Sequence, residues 1–252
     1  LSEKNYLLTL NKIPAVKSAD TGFMPRIINE ITADGIFINY NINLPPELAE
    51  AVENHGTPAV YINIDRDKDC IRSDDKKAAS DATERFIKMG HRRIAYADFT
   101  VSGHYSIREY REGYSETMTK NGLAPLFVNE RGHIPRPERV ELSKSALKKL
   151  GFTAALTISR TTALPLIYAA LETGVKIPRD LSVATFDAGV LDYPFPVDSW
   201  SLPWDRIGRE AVMMMLKKLQ HPAAHLEAEK LAFELKEGVS SAPPRDERRA
   251  QK

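Results

Sequence analysis

Asp65, Asp67 and Asp69 occupy alternate positions in the stretch DRDKDC, the spacing with which a calcium-binding loop begins. The rest of that loop is missing. Cys70 stands where the sharp turn needs glycine, and Lys76 stands where a bidentate glutamate would close the coordination shell. The stretch reads as a solvated loop, and no metal is expected. A second constellation, KMGHRRIAYAD over residues 88–98, sets His91, Arg92 and Arg93 between a glycine and an apolar run. A histidine beside two arginines has the makings of a catalytic site or a grip on nucleic acid. The preceding ASDATERFIKM, however, has helical spacing. Gly90 sits where a helix end needs positive φ, and Ile94 opens an apolar strand. The triplet is read as a seam between helix and strand, where basic side chains are favoured beside the last helical carbonyls.

No GxxxxGK[ST], HExxH, GxSxG or GxGxxG pattern occurs, and no nucleophile has a base beside it. The chain is therefore expected to be a non-enzyme without a cofactor.

The remaining polar candidates depend on the elements that position them. Strand-forming runs are expected over 6–10, 35–39, 59–63, 93–97, 126–129, 154–158, 181–186 and 231–235, separated by amphipathic stretches. The clearest helices span 74–89, 106–120, 137–150, 161–173 and 204–219, with apolar residues three and four apart. This alternation predicts parallel βα units. An open parallel sheet binds ligands beyond the carboxyl ends of its strands. That rule selects Asn39, Tyr40, Asp65, Asp98, Phe99, Ser159, Arg160 and Asp187. Polar groups with two aromatics suit a small polar ligand held by hydrogen bonds and ring stacking.

With 252 residues the chain is long enough for two lobes, and 35 Lys+Arg against 34 Asp+Glu leaves no basic excess for gripping phosphates. One cysteine, Cys70, excludes an internal disulfide, and neither a signal peptide nor a membrane-length apolar run is visible, so a cytoplasmic location is expected. The opening LSEKN reads as the last turn of a helix whose beginning is missing, so the native polypeptide is expected to continue upstream. The polar, proline-bearing end, 242–252, is expected to be a disordered tail.

Taken in order, ADGIFIN, ATERFIKMGHRRIAY, REGYSETMTKNGL, LETGVKIPRDLSVATFD and WDRIGREAVMMMLKKL resemble the lac repressor and gal repressor family of transcription regulators over about 1–241. The resemblance implies an α/β, periplasmic-binding-protein-like core of two similar doubly wound parallel-sheet lobes joined by three crossovers and closing on a small effector. On this likeness 1–73 plus 203–230 form the first lobe, lacking its first strand and most of its first helix, and 74–202 plus 231–241 form the second. Family members carry a helix-turn-helix ahead of this point, so DNA would be reached only through that missing head. A homodimer is implied, and no membrane.

Residue by residue, Asp187 in TFDA matches the family's effector-binding aspartate and Asp65 another acidic position beside the pocket. The family's effector-contacting arginine is replaced by Tyr110, flanked by Arg108 and Arg111. The usual Asn-Asp pair after the 154–158 strand reads Ser159-Arg160. Exchanging acid for base there changes which ligand charges the site tolerates. The expected effector is a sugar, sugar acid or sugar phosphate. A periplasmic solute-binding protein for sugar transport is the alternative on the same fold.

Overall fold

The computed structural model describes residues 6–12, 30, 33–39, 44–99, 103–129, 132–187 (backbone alone at 187) and 194–245. The chain divides into two compact units, Leu1–Ser73 with Trp204–Leu231 and Asp74–Pro203 with Ala232–Lys252, so it passes between them three times.

The first unit holds four parallel strands in the order β1-β2-β3-β9. These are β1 (Ile36–Asn39), β2 (Ala59–Ile62), β3 (Cys70–Ser73) and β9 (Glu229–Leu231). Helix α1 (Pro46–His55) buries Leu48 and Val52 in a cluster with Ile38, Tyr61, Ile64 and Cys70. Helix α6 (Trp204–Gln220) packs on β2 and β3 and buries the stripe Ile207, Ala211, Met214, Met215 and Lys218. Their four- and three-residue spacing places these side chains on one helical face.

The second unit holds six strands in the order β10-β8-β7-β6-β4-β5. Strands β4 (Ile94–Ala97), β5 (Leu126–Phe127), β6 (Ala154–Thr157), β7 (Ser182–Asp187) and β8 (Asp198–Ser201) run parallel, and β10 (Glu234–Lys236) closes the edge antiparallel to β8. Alternation along the strands feeds two cores. Ile94, Tyr96, Leu156, Ala184, Phe186 and Trp200 meet the buried faces of α2 (Asp75–Lys88) and α3 (Tyr105–Lys120). Ala95, Ala97, Ala155 and Val183 meet α4 (Arg136–Leu150) and α5 (Arg160–Thr173). Gly113, in the REGY stretch, has a packing reason: a Cβ there would lie 2.1 Å from the Lys76 carbonyl oxygen of α2.

Four expectations need correction. Residues 6–10 form no strand, and Leu7 and Leu10 are 92% and 91% exposed. Strand propensity is realised only through pairing, and none of the described strands pairs with them. The stretch 231–235 is not one strand, because β9 and β10 join different sheets. Two strands were missed: β3, whose Arg72 breaks the apolar run, and β8, where Asp198 and two serines do so. Asp198 is nevertheless buried, accepting the Gly238 N–H, while its own N–H donates to Ser240 Oγ. The first part of the expected disordered tail is held in place: the Ala242 N–H donates to Ser182 Oγ, and Arg245 lies 3.9 Å from Asp180. The helical turn expected over 1–5, Tyr40 and 246–252 lie outside the described residues.

Candidate functional site at the carboxyl ends of the second sheet

The basic triplet at 91–93 lies at the amino ends of these strands and is wholly structural. Gly90 ends its helix at φ 103°. His91 is 1% exposed: Nε2–H donates to the Ala242 carbonyl at 2.9 Å, which leaves Nδ1 to accept the Thr153 hydroxyl at 2.8 Å. Burial pushes its pKa down, outweighing the Ala242 hydrogen bond. Arg92 donates to Ile87 O near the end of α2, and Arg93 to Leu150 O and Gly151 O at the end of α4. Both arginines thus serve carbonyls that the helices leave without intrahelical donors.

The DRDKDC stretch is only partly solvated. Asp65 forms an ion pair with the buried Arg72 at 3.1 Å. Asp69 turns inward, where its carboxylate receives Lys218 Nζ at 2.8 Å, His225 Nδ1 at 2.8 Å and the Leu226 N–H at 2.9 Å. Burial opposes its ionisation, but these donors prevail and hold the carboxyl below its ordinary value. Cys70 is fully buried, its thiol pushed up by burial and donating to Ile64 O.

At the carboxyl ends of the second sheet, register brings several expected residues together. Asp98 and Phe99 follow β4, Ser159 and Arg160 follow the adjacent β6, and Asp187 ends β7, the next strand over. Asp187 pairs in register with Ser201 of β8. Ser159 is the N-cap residue of α5, yet its Oγ bonds Thr161 Oγ1 at 2.8 Å and caps no backbone N–H. Arg160 is exposed at the first helical position.

Other expected site residues are placed elsewhere. Phe99 has no exposed surface and belongs to the core beneath α4 and α5, because its ring fills apolar space among Val128, Ala146 and Leu166. Tyr110 is also a core residue: its ring stacks on Phe186 at 4.5 Å and its hydroxyl bonds Asp75. Burial, reinforced by the Asp75 charge, raises the Tyr110 hydroxyl well above its ordinary value. Arg111 lies 3.9 Å over the Phe127 ring, at the edge strand. Arg108 is exposed and 3.7 Å from Glu112. Asp65 is in the first unit.

Three residues of this end went unnoticed in the sequence. Thr162 and Thr185 are fully buried, and neither hydroxyl has a partner among the described residues; the Tyr96 hydroxyl on the opposite face of the sheet has none either. Arg139 of α4 is 5% exposed, donating to Ile134 O at 2.8 Å and Thr161 O at 3.2 Å, with no carboxylate beside it among the described residues. Thr185 was findable, since VATFD alternates and places it on the same strand face as the core residue Val183, near the carboxyl end. Nothing in the sequence marks Arg139.

A doubly wound core with a polar strand-end site defines a class of small-molecule-binding domains rather than a chemistry. Residues 83–241 match the family described as the periplasmic binding protein-like domain, and the chain belongs to it. Several of its curated relatives are named as HTH-type transcriptional repressors and others as catabolite control protein A. It is 22% identical to the probable HTH-type transcriptional repressor ExuR of Bacillus subtilis (strain 168), covering 89% of this chain and 67% of that protein. It is 28% identical to the HTH-type transcriptional repressor PurR of Vibrio campbellii, covering 83% and 64%. The chain thus spans about two thirds of the length of these relatives. Among solved structures, a LacI family transcriptional regulator from Mycobacterium smegmatis superposes with TM-score 0.74 at 25% identity, covering 97% of this chain and 91% of that one. A ribose-bound LacI family regulator from Enterococcus faecium superposes with TM-score 0.76 at 16% identity, over 97% and 90%.

Proposed function

We propose that this chain is the effector-binding and dimerising region of a ligand-responsive transcription repressor that acts in the cytoplasm, with DNA contacted by a helix-turn-helix outside this sequence. The observation that carries the reading is the set of Ser159, Arg160 and Asp187 at the ends of adjacent strands, in a chain whose relatives are named as repressors. The ligand is a small sugar-like molecule; relatives of the same fold are titled as complexes with ribose and with cellobiose. Binding favours one of two states of the protein and so changes its affinity for DNA, by the difference in ligand affinity between the states. The chain performs no catalysis. The repressor names of the relatives favour this reading over a transport protein. Self-association is supported by the fold likeness to a lac repressor titled as dimeric, TM-score 0.74.

Two measurements test the proposal. Sedimentation of this chain at tens of micromolar is expected to give a dimer, a range where an interface of ordinary size holds; a strict monomer would refute self-association. A thermal-shift panel of sugars, sugar acids, sugar phosphates and purines is expected to show stabilisation by a sugar or sugar derivative. Stabilisation by a purine alone would overturn the ligand class.

A further inference from the structure

The orphan hydroxyls of Thr162 and Thr185 lie in one layer of the second unit. Helix α5 packs on β6 and β7, returning antiparallel to them as a βα connection requires, so its first turn stands over their carboxyl ends. Leu166 and Val183 belong to the same core cluster. Thr162 is one helical turn before Leu166, and Thr185 is two residues beyond Val183 on the same strand face. Both steps lead from that core toward the same edge, where Asp187 ends the strand. Two buried hydroxyls in one layer, without partners among the described residues, form an incomplete polar set, because a buried hydroxyl left unbonded is costly.

The charge beside this layer is positive. Arg139 has its Nε and one Nη1 hydrogen committed to backbone carbonyls, one of them Thr161 O in the first turn of α5. Its Nη2 group has no acceptor among the described residues. Arg160 opens α5, and the Ser159 side chain caps no backbone N–H of that helix, although its carbonyl accepts those of Thr162 and Ala163. A buried guanidinium, a second arginine and a helix amino end together favour negative charge.

We infer, resting on the effector reading above, that the ligand carries an acid group, carboxylate or phosphate, and that this group is received at the amino end of α5. Arg160 and the helix N–H groups bind its oxygens from the helix side, Arg139 from beneath, and the Thr162 and Thr185 hydroxyls donate from the floor. Asp98 follows β4 and Asp187 ends β7 at the same sheet edge, and negative charge there disfavours an anion, so the acid lies on the α5 side of them.

The test uses this chain and matched sets of probes: glucose, galactose and ribose, the uronic or aldonic acid of each, and the phosphate of each, with inorganic phosphate alone. Affinity is read by calorimetry. One acid-bearing member is expected to bind at least about tenfold more tightly than its neutral parent, a typical difference for one charge-assisted contact. The carboxylate and phosphate arms identify which acid it is. Arg160→Gln and Thr162→Val are each expected to weaken that ligand about tenfold, so that the advantage of the acid over its neutral parent falls to within about twofold. Thr162→Val replaces an unbonded hydroxyl by a methyl, so the ligand-free chain is expected to melt at the same temperature or higher, which separates lost contact from lost fold. Neutral sugars binding as tightly as their acids would overturn this inference and leave the effector reading standing. Unchanged acid affinity in both variants would likewise overturn it. Absence of binding by every probe would overturn both.

Discussion

At the amino end of the second sheet, Ser182 Oγ donates to Ala242 O and accepts the Ala242 N–H, and Ser240 Oγ donates to Val183 O while accepting the Asp198 N–H. His91 uses both ring nitrogens. Ser241 Oγ and Arg85 Nε are exceptions there, with no partner among the described residues. At the carboxyl end of the same strands, Thr162 and Thr185 lack partners, and Arg139 and Arg160 have no carboxylate beside them among the described residues. The two ends draw on similar side chains, so residue type does not set them apart. They differ in whether the polar groups are satisfied within the chain. A completed set holds the fold together, whereas the incomplete set is the one that the proposed ligand would finish.

The difference can be broken from either end. His91→Ala empties a buried site and strips the Ala242 carbonyl of its donor; a loss of about 3 kcal/mol in urea unfolding is expected, with effector affinity unchanged in the folded fraction. Gly90→Val forces a β-branched residue to φ 103°, where Pro244 is no obstacle at 3.6 Å, so the cost is backbone strain of about 2 kcal/mol. At the other end, Asp187→Asn is expected to weaken the cognate ligand by about 1.5 kcal/mol while the melting temperature stays near that of the wild type. A variant that loses stability but not affinity would place Asp187 with the completed set.

Acid acts on the amino end in the same direction as mutation, but by less. The folded state holds the pKa of His91 below its unfolded value. The unfolded chain therefore takes up the proton first, and stability is full above about pH 6.5. It is lost progressively as the pH falls from there toward the depressed value. His91→Gln removes that proton uptake, so its melting temperature is expected to depend less on pH between about 7 and 5. Equal slopes for the two proteins would mean that another group titrates. The smallest effect is expected for Thr185→Val, within about 1 kcal/mol of wild-type stability and on the stabilising side.

Much of the fold was legible because the second unit obeys simple rules. Strands buried on both faces read as apolar runs, and helices closed by Gly90, Gly151 and Gly174 announce their own ends. Strands β3 and β8 were not legible, since Arg72 is buried through an ion pair with Asp65 of the preceding loop and Asp198 through Gly238, remote in sequence, and no apolar pattern shows either. The candidate site was legible only as far as strand ends predict it. Ser159, Arg160 and Asp187 come together by register, whereas Phe99 and Tyr110 belong to the cores because an aromatic near a strand end packs inward as readily as outward. Arg139 reaches the site from a different helix, and only the folded chain shows that its guanidinium meets α5.

The separation of β9 from β10 bears on how the molecule is made. The ribosome delivers Cys70–Ser73 early, but the strand that flanks them, Glu229–Leu231, comes only after Asp74–Pro203 has been synthesised. At a translation rate on the order of 5 to 20 residues per second, the open side of β3 waits roughly ten to thirty seconds for its neighbour. During that interval the nascent chain carries an unpaired parallel edge, a surface open to strands of other chains. Nearly all of the second sheet's strands emerge within the same interval. Synthesis therefore favours the second unit as the first to become compact, and makes the first unit the one that depends most on protection while the chain is still growing.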